Sequence, residues 1–149
     1  MKLAEALQER ADLNRQIEQL KFRLANSAIT QEGEAPAEDP GQLLERLDRS
    51  VARLEELMAA INLANCRTGV YGMTLTQLIA RKDCLRLKIE AYRELAEAAS
   101  QTAHRATRSE IRILSAVDVK AIQADVDAMA KELRLLDNQL QQTNWTTDL

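Results

Sequence analysis

The chain is poor in the residues that most enzymes use for chemistry. It holds one histidine, two cysteines and four glycines in 149 residues. A di-iron carboxylate bundle needs a Glu-x-x-His pair from each of two helices. Here the sole histidine, His104, has Gln101 three residues before it, so that reading fails on ligand count. One histidine and two distant cysteines make no tetrahedral zinc set. Cys84 and His104 stand about 30 Å apart if one helix carries both, too far for a nucleophile and its base. Gly33, Gly41, Gly69 and Gly72 match neither phosphate-loop nor dinucleotide-loop spacing. No metal, no cofactor and no catalytic residue is expected.

Aromatic residues are also scarce, at 3% against 46% apolar overall, so any core is aliphatic. There is no excess of positive charge: the net charge is −3, which argues against a nucleic-acid partner. No apolar run approaches the ~20 residues that span a bilayer. Met1-Lys2-Leu3-Ala4-Glu5 opens directly into charged amphipathic sequence without a secretory h-region. The expectation is a cytoplasmic protein, with no membrane and with Cys66 and Cys84 as reduced, packed thiols.

What the chain has in abundance is helical periodicity. Val119, Ile122, Val126, Met129, Leu133, Leu136, Leu140 and Thr143 recur at spacings of three and four. A first helix over 2–26 has the seam Leu3, Ala6, Arg10, Leu13, Ile17, Leu20 and Leu24, with Leu7 widening it. A second over 42–65 follows Leu44, Leu47, Val51, Leu54, Met58, Ile61 and Asn65. The third, 75–104, follows Leu78, Lys82, Leu85, Ile89, Tyr92, Ala96, Ala99 and Ala103; the fourth covers 119–143. Asp39 with Pro40 and Gln42, Thr74 with Gln77, and Asp118 supply start signals. The alanines late in the third helix favour close approach of a partner helix. The fold class is mainly all-α: an antiparallel bundle of four long helices in one domain, 1–149.

Between the helices the pattern breaks. Segment 27–41 contains both prolines and the acids Glu32, Glu34, Glu38 and Asp39. A turn of about eight residues around Gly69 and Gly72 makes the second and third helices neighbours. Segment 105–117 has β-branched alternation, and short strands near Ile29 and Ile111 would pair as a ribbon at one end of the bundle. Residues 144–149 form a tail. Arg10 interrupts its seam and calls for a carboxylate or carbonyl partner.

Two features suggest interaction. Arg105, Arg108 and Arg112 form a cluster able to bind an anion or a partner; the plainer reading sets them against the acidic loop. Trp145 is either a partner anchor or a tail side chain folded back on its own helices.

Several strings carry a family resemblance: Lys2-Leu3-Ala4-Glu5-Ala6-Leu7 with Arg10-Ala11-Asp12-Leu13, then Gln31-Glu32-Gly33-Glu34 with Pro36 and Glu38-Asp39-Pro40. Further along come Ile61-Asn62 with Asn65, Gly72-x-Thr74-Leu75, Ala80-Arg81-Lys82-Asp83, Ser109-Glu110-Ile111 and the closing Asn144-Trp145-Thr146-Thr147-Asp148-Leu149. Over essentially its whole length the chain resembles a family of small bacterial helical proteins, some of which bear the name septicolysin. The resemblance implies a helical fold and brings no active-site residues. The name implies a pore-forming toxin, yet the chain lacks alternating hairpin strands and a strongly cationic helix face. The leading expectation is therefore a non-enzymatic homo-oligomer that scaffolds or binds an unidentified protein partner. A septicolysin-like membrane-active toxin is the alternative, and an enzyme with a site shared between subunits comes third.

Overall fold

The computed structural model describes residues 1–101 and 111–149 and shows a four-helix, all-α protein with one short antiparallel hairpin. The helices are α1 (Leu3–Asn26), α2 (Pro40–Arg67), α3 (Leu75–Ser100) and α4 (Val119–Thr146). The chain divides into two units, Met1–Val70 with Thr143–Leu149, and Tyr71–Gln142.

In the first unit, α1 and α2 are antiparallel. Their Cα atoms approach within 8 Å along the shared length. Leu3, Ala6 and Leu20 of α1 are buried, and Arg10, Leu13, Ile17 and Leu24 are half-buried, which is the expected seam. The expected seam of α2 holds in part: Ile61 is buried and Leu47, Leu54 and Asn65 are half-buried, but its other members give way to residues one position earlier. Leu43, Ser50, Leu57, Ile61 and Ala64 are buried, whereas Leu44, Val51 and Met58 are 50%, 46% and 49% exposed. Apolar residues stand at both sets of positions, so periodicity alone gives a stripe wider than the helix can bury. Asp39 caps α2 by accepting from the Gly41 amide at 2.9 Å, with Pro40 in the first turn as expected. Gln42 makes no reciprocal bond.

The tail is not loose. α4 runs to Thr146, and beyond it Leu3 N–H donates to the Thr147 carbonyl at 2.9 Å and Leu149 N–H to that of Met1 at 3.0 Å. Lys2 bridges to Asp148 at 2.8 Å. The first of these bonds satisfies a donor that the start of α1 would otherwise leave orphaned.

The second unit contains α3 and most of α4, also antiparallel, as the pairs Arg81–Glu132 and Lys82–Asp137 require. The expected seams hold. Leu78, Ile89 and Ala96 of α3 and Val126, Leu136 and Leu140 of α4 are buried, and the other described members are half-buried. Thr74 and Gln77 form the expected capping box: Gln77 N–H donates to Thr74 Oγ1 at 3.3 Å and Thr74 N–H to Gln77 Oε1 at 2.9 Å. Asp118 caps α4, accepting from Ala121 N–H at 3.1 Å.

The ribbon exists, but other residues build it. β1 (Gly69–Val70) pairs with β2 (Met73–Thr74) across Tyr71 and Gly72. Both turn residues have positive φ, 47° and 81°, the type I′ geometry whose twist suits a two-residue hairpin. Residues 28–30 and 111–117 are irregular.

Candidate interaction surfaces

The sequence nominated Arg105, Arg108, Arg112 and Trp145. Arg105 and Arg108 lie outside the described residues, as does His104. Arg112 is described and exposed, in the irregular stretch ahead of α4. Trp145 sits in the last turn of α4 and is 51% exposed. In the acidic loop, Glu38 is engaged from within its own unit: Arg23 Nε donates to Glu38 Oε2 at 2.8 Å, and a second guanidinium nitrogen reaches Oε1.

Arg10 and Lys82 are the two cations on seams, and they behave differently. Arg10 is half-buried and has no ion-pair partner among the described residues, contrary to expectation. Its long apolar stem lies in the seam while its head reaches water. Lys82 is more deeply placed, with its side chain 17% exposed, and it pairs with Asp137 of α4.

The cysteines are not packed. Cys66 and Cys84 are free thiols, each exposed on its helix. Cys84 belongs to a second stripe on α3 that runs Ala80, Cys84, Leu87, Ala91, Leu95 and Ala98, at helical spacings and wholly exposed. Leu87, at its middle, is 66% exposed. Asp83, Glu90 and Glu97 line one edge of the stripe; Arg81 and Lys88 stand on the other. Periodicity drew attention to the buried seam of α3 and passed over this one.

Along one edge of the α1–α2 pair runs a polar ladder. Arg53 Nε and Nη2 donate to the two oxygens of Glu9 at 2.7 and 2.9 Å, and Nη1 donates to Glu56 at 3.1 Å. These bonds hold the Glu9 carboxyl below its ordinary range and raise the Arg53 guanidinium above its own. Arg23 lowers Glu38 in the same way, and Lys2 lowers Asp148.

Among the described residues, no group of His, Cys, Asp and Glu is arranged to hold a metal ion, and no helix is long and apolar enough to cross a membrane. The described surfaces are helix faces and a charged edge.

The chain belongs to a family of unknown function, DUF6847, whose pattern matches residues 10–149. It is similar to a functionally unknown conserved protein from Corynebacterium diphtheriae with a known crystal structure. The two are 37% identical with a TM-score of 0.91, over 100% of this chain and 98% of that one. No curated protein matches.

Proposed function

We propose that the protein is a non-enzymatic, cytoplasmic helical protein that self-associates and serves as a scaffold or binding partner for another protein. The observation that carries this reading is the outer stripe of α3. Six small or apolar residues in helical register, with Leu87 at the centre, are exposed while the same helix buries a seam on its other side. Only the last two, Leu95 and Ala98, face another segment, in a recess shared with Ile113 and Val117. Exposed apolar stripes of this kind mark association surfaces. The oppositely charged edges favour a parallel pairing of two copies, in which Asp83 of one faces Lys88 of the other, as in a heptad dimer.

Light scattering on the eluting peak tests the reading. A mass that is a multiple of 16.7 kDa at micromolar concentration is expected, and Leu87→Glu should lower it. A monomer at that concentration overturns the proposal. Mixed charge on the helix faces supports protein contact over the septicolysin-like alternative, for which leakage of dye from liposomes is the direct assay.

A further inference from the structure

The α1–α2 ladder has three rungs and only two are complete. Positions 9, 16 and 23 are seven apart on α1 and so lie on one line of the helix. The outer rungs are ion pairs, Glu9 with Arg53 and Arg23 with Glu38. The middle position is Gln16, which has no charge to offer. In the antiparallel register set by the outer pairs it falls opposite Arg46, with Arg49 one turn further along α2.

Leu13, Gln16, Arg46, Arg49, Ser50 and Arg53 line a recess of about 210 Å3 here. Arg53 is already occupied by Glu9 and Glu56. Arg46 and Arg49 have no hydrogen-bond or ion-pair partner among the described residues. The charge of Arg46 does reach Glu38, but the hydrogen bonds of that carboxylate go to Arg23. Guanidinium groups stay protonated at any physiological pH, so two exposed positive charges without a hydrogen-bonded counter-ion stand on neighbouring turns of α2. Ser50 is notable as well: it interrupts the buried face of α2 with a hydroxyl at the wall of this recess.

We infer that this recess is an anion site for a phosphate group, free or as a small monoester. Two forked guanidinium groups, an amide and a hydroxyl offer donors from both helices, which suits a tetrahedral oxyanion with several acceptor oxygens. A phosphate dianion also balances both arginines, whereas a monocarboxylate would leave one uncompensated. The volume admits a phosphate with little attached to it.

Calorimetric titration with inorganic phosphate against sodium chloride of equal ionic strength tests the inference, with glycerol phosphate as a second arm to separate the free ion from an ester. Saturable binding is expected from at least one of the two. Arg46→Gln and Arg49→Gln should each weaken it about tenfold or more, the usual consequence of losing a hydrogen bond to a charged group. Gln16→Glu is the decisive variant, because it completes the ladder from within. It should abolish phosphate binding and raise the melting temperature in phosphate-free buffer. Circular dichroism identifies any variant that fails to fold, and the Gln16→Glu result stands without the arginine variants. No saturable heat with wild-type protein, or equal heats from wild type and Gln16→Glu, would overturn the assignment.

Discussion

The two helix hairpins are built from similar residues and packed differently. α1 and α2 come closer together than α3 and α4 do. Their polar contacts are confined to an outer edge, where Glu9–Arg53 and Arg23–Glu38 join them. Between α3 and α4 a groove of about 480 Å3 opens beside Ala96 and Val126. Their cross-helix pair Lys82–Asp137 sits on the seam itself. The alanines of α3 suggested close packing; at Ala96 they leave room instead, because small side chains permit approach but supply little surface to hold it. Both hairpins leave an apolar line uncovered, Leu44, Val51 and Met58 on α2 and the outer stripe on α3; what sets the second apart is the open groove between its helices. That contrast can be attacked by substitution.

The largest effect should come from truncating the tight pair. Leu57 is 2% exposed and lies on the buried face of α2. Leu57→Ala should cost about 2–5 kcal/mol, the range for a buried leucine whose cavity collapses poorly. Urea denaturation measures this, and a loss below 1 kcal/mol would show that α1 and α2 are not the rigid pair described.

Enlargement should then separate the two hairpins. Ala6 is fully buried in α1, so Ala6→Leu overpacks it and should cost about 1–3 kcal/mol. Ala96→Leu adds the same atoms at the wall of an open groove and should leave stability unchanged or improve it. Equal losses at both sites would erase the contrast.

Much of this was legible in the sequence, and the failures share a cause. The seams of α1 and α4 follow from periodicity because each helix has one dominant apolar line, and that of α3 because its second stripe consists mostly of small residues. α2 has two adjacent ones, Leu43-Leu57-Ala64 and Leu44-Val51-Met58, and the buried line contains Ser50, which conceals it. Caps at Asp39, Thr74 and Asp118 are local and were readable. The partners Arg53 for Glu9 and Arg23 for Glu38 depend on helix register, which one helix cannot specify. The recess at Arg46 and Arg49 was missed for that reason. Its signal, a neutral Gln16 between charged positions 9 and 23, becomes visible only once α2 is laid against α1. The hairpin was half visible: Gly69 and Gly72 marked a turn, but Tyr71 is an unusual residue for its first central position.

That turn offers a smaller, favourable change. Tyr71 holds φ at 47° and is almost fully exposed, so it carries the strain of a left-handed conformation with little packing in return. Asparagine tolerates this conformation and is favoured in type I′ turns. Tyr71→Asn should stabilise by about 0.5–1 kcal/mol, read as a rise in the denaturation midpoint with unchanged slope. A loss of stability would mean that the ring makes a contact worth more than the strain.

The smallest effect concerns acid. Glu9, Glu38 and Asp148 all belong to the unit containing α1 and α2, and hydrogen bonds from Arg53, Arg23 and Lys2 respectively hold their carboxyl groups low. A carboxyl depressed in the folded state stabilises it fully above the unfolded value, near 4. The contribution disappears as the pH falls through the folded value. Stability attributable to these groups should thus be flat from pH 6 to 8 and decline below about 4. Because all three carboxyl groups keep contact with solvent, screening keeps the decline shallow, and added salt should reduce it further. Glu9→Gln removes one titrating partner, so hydrogen exchange in α1 and α2 should depend less steeply on pH between 6 and 3.5 than in the wild type. An identical acid profile in Glu9→Gln would mean that the Arg53 rung contributes position without energy, leaving apolar packing as the sole difference between the two hairpins.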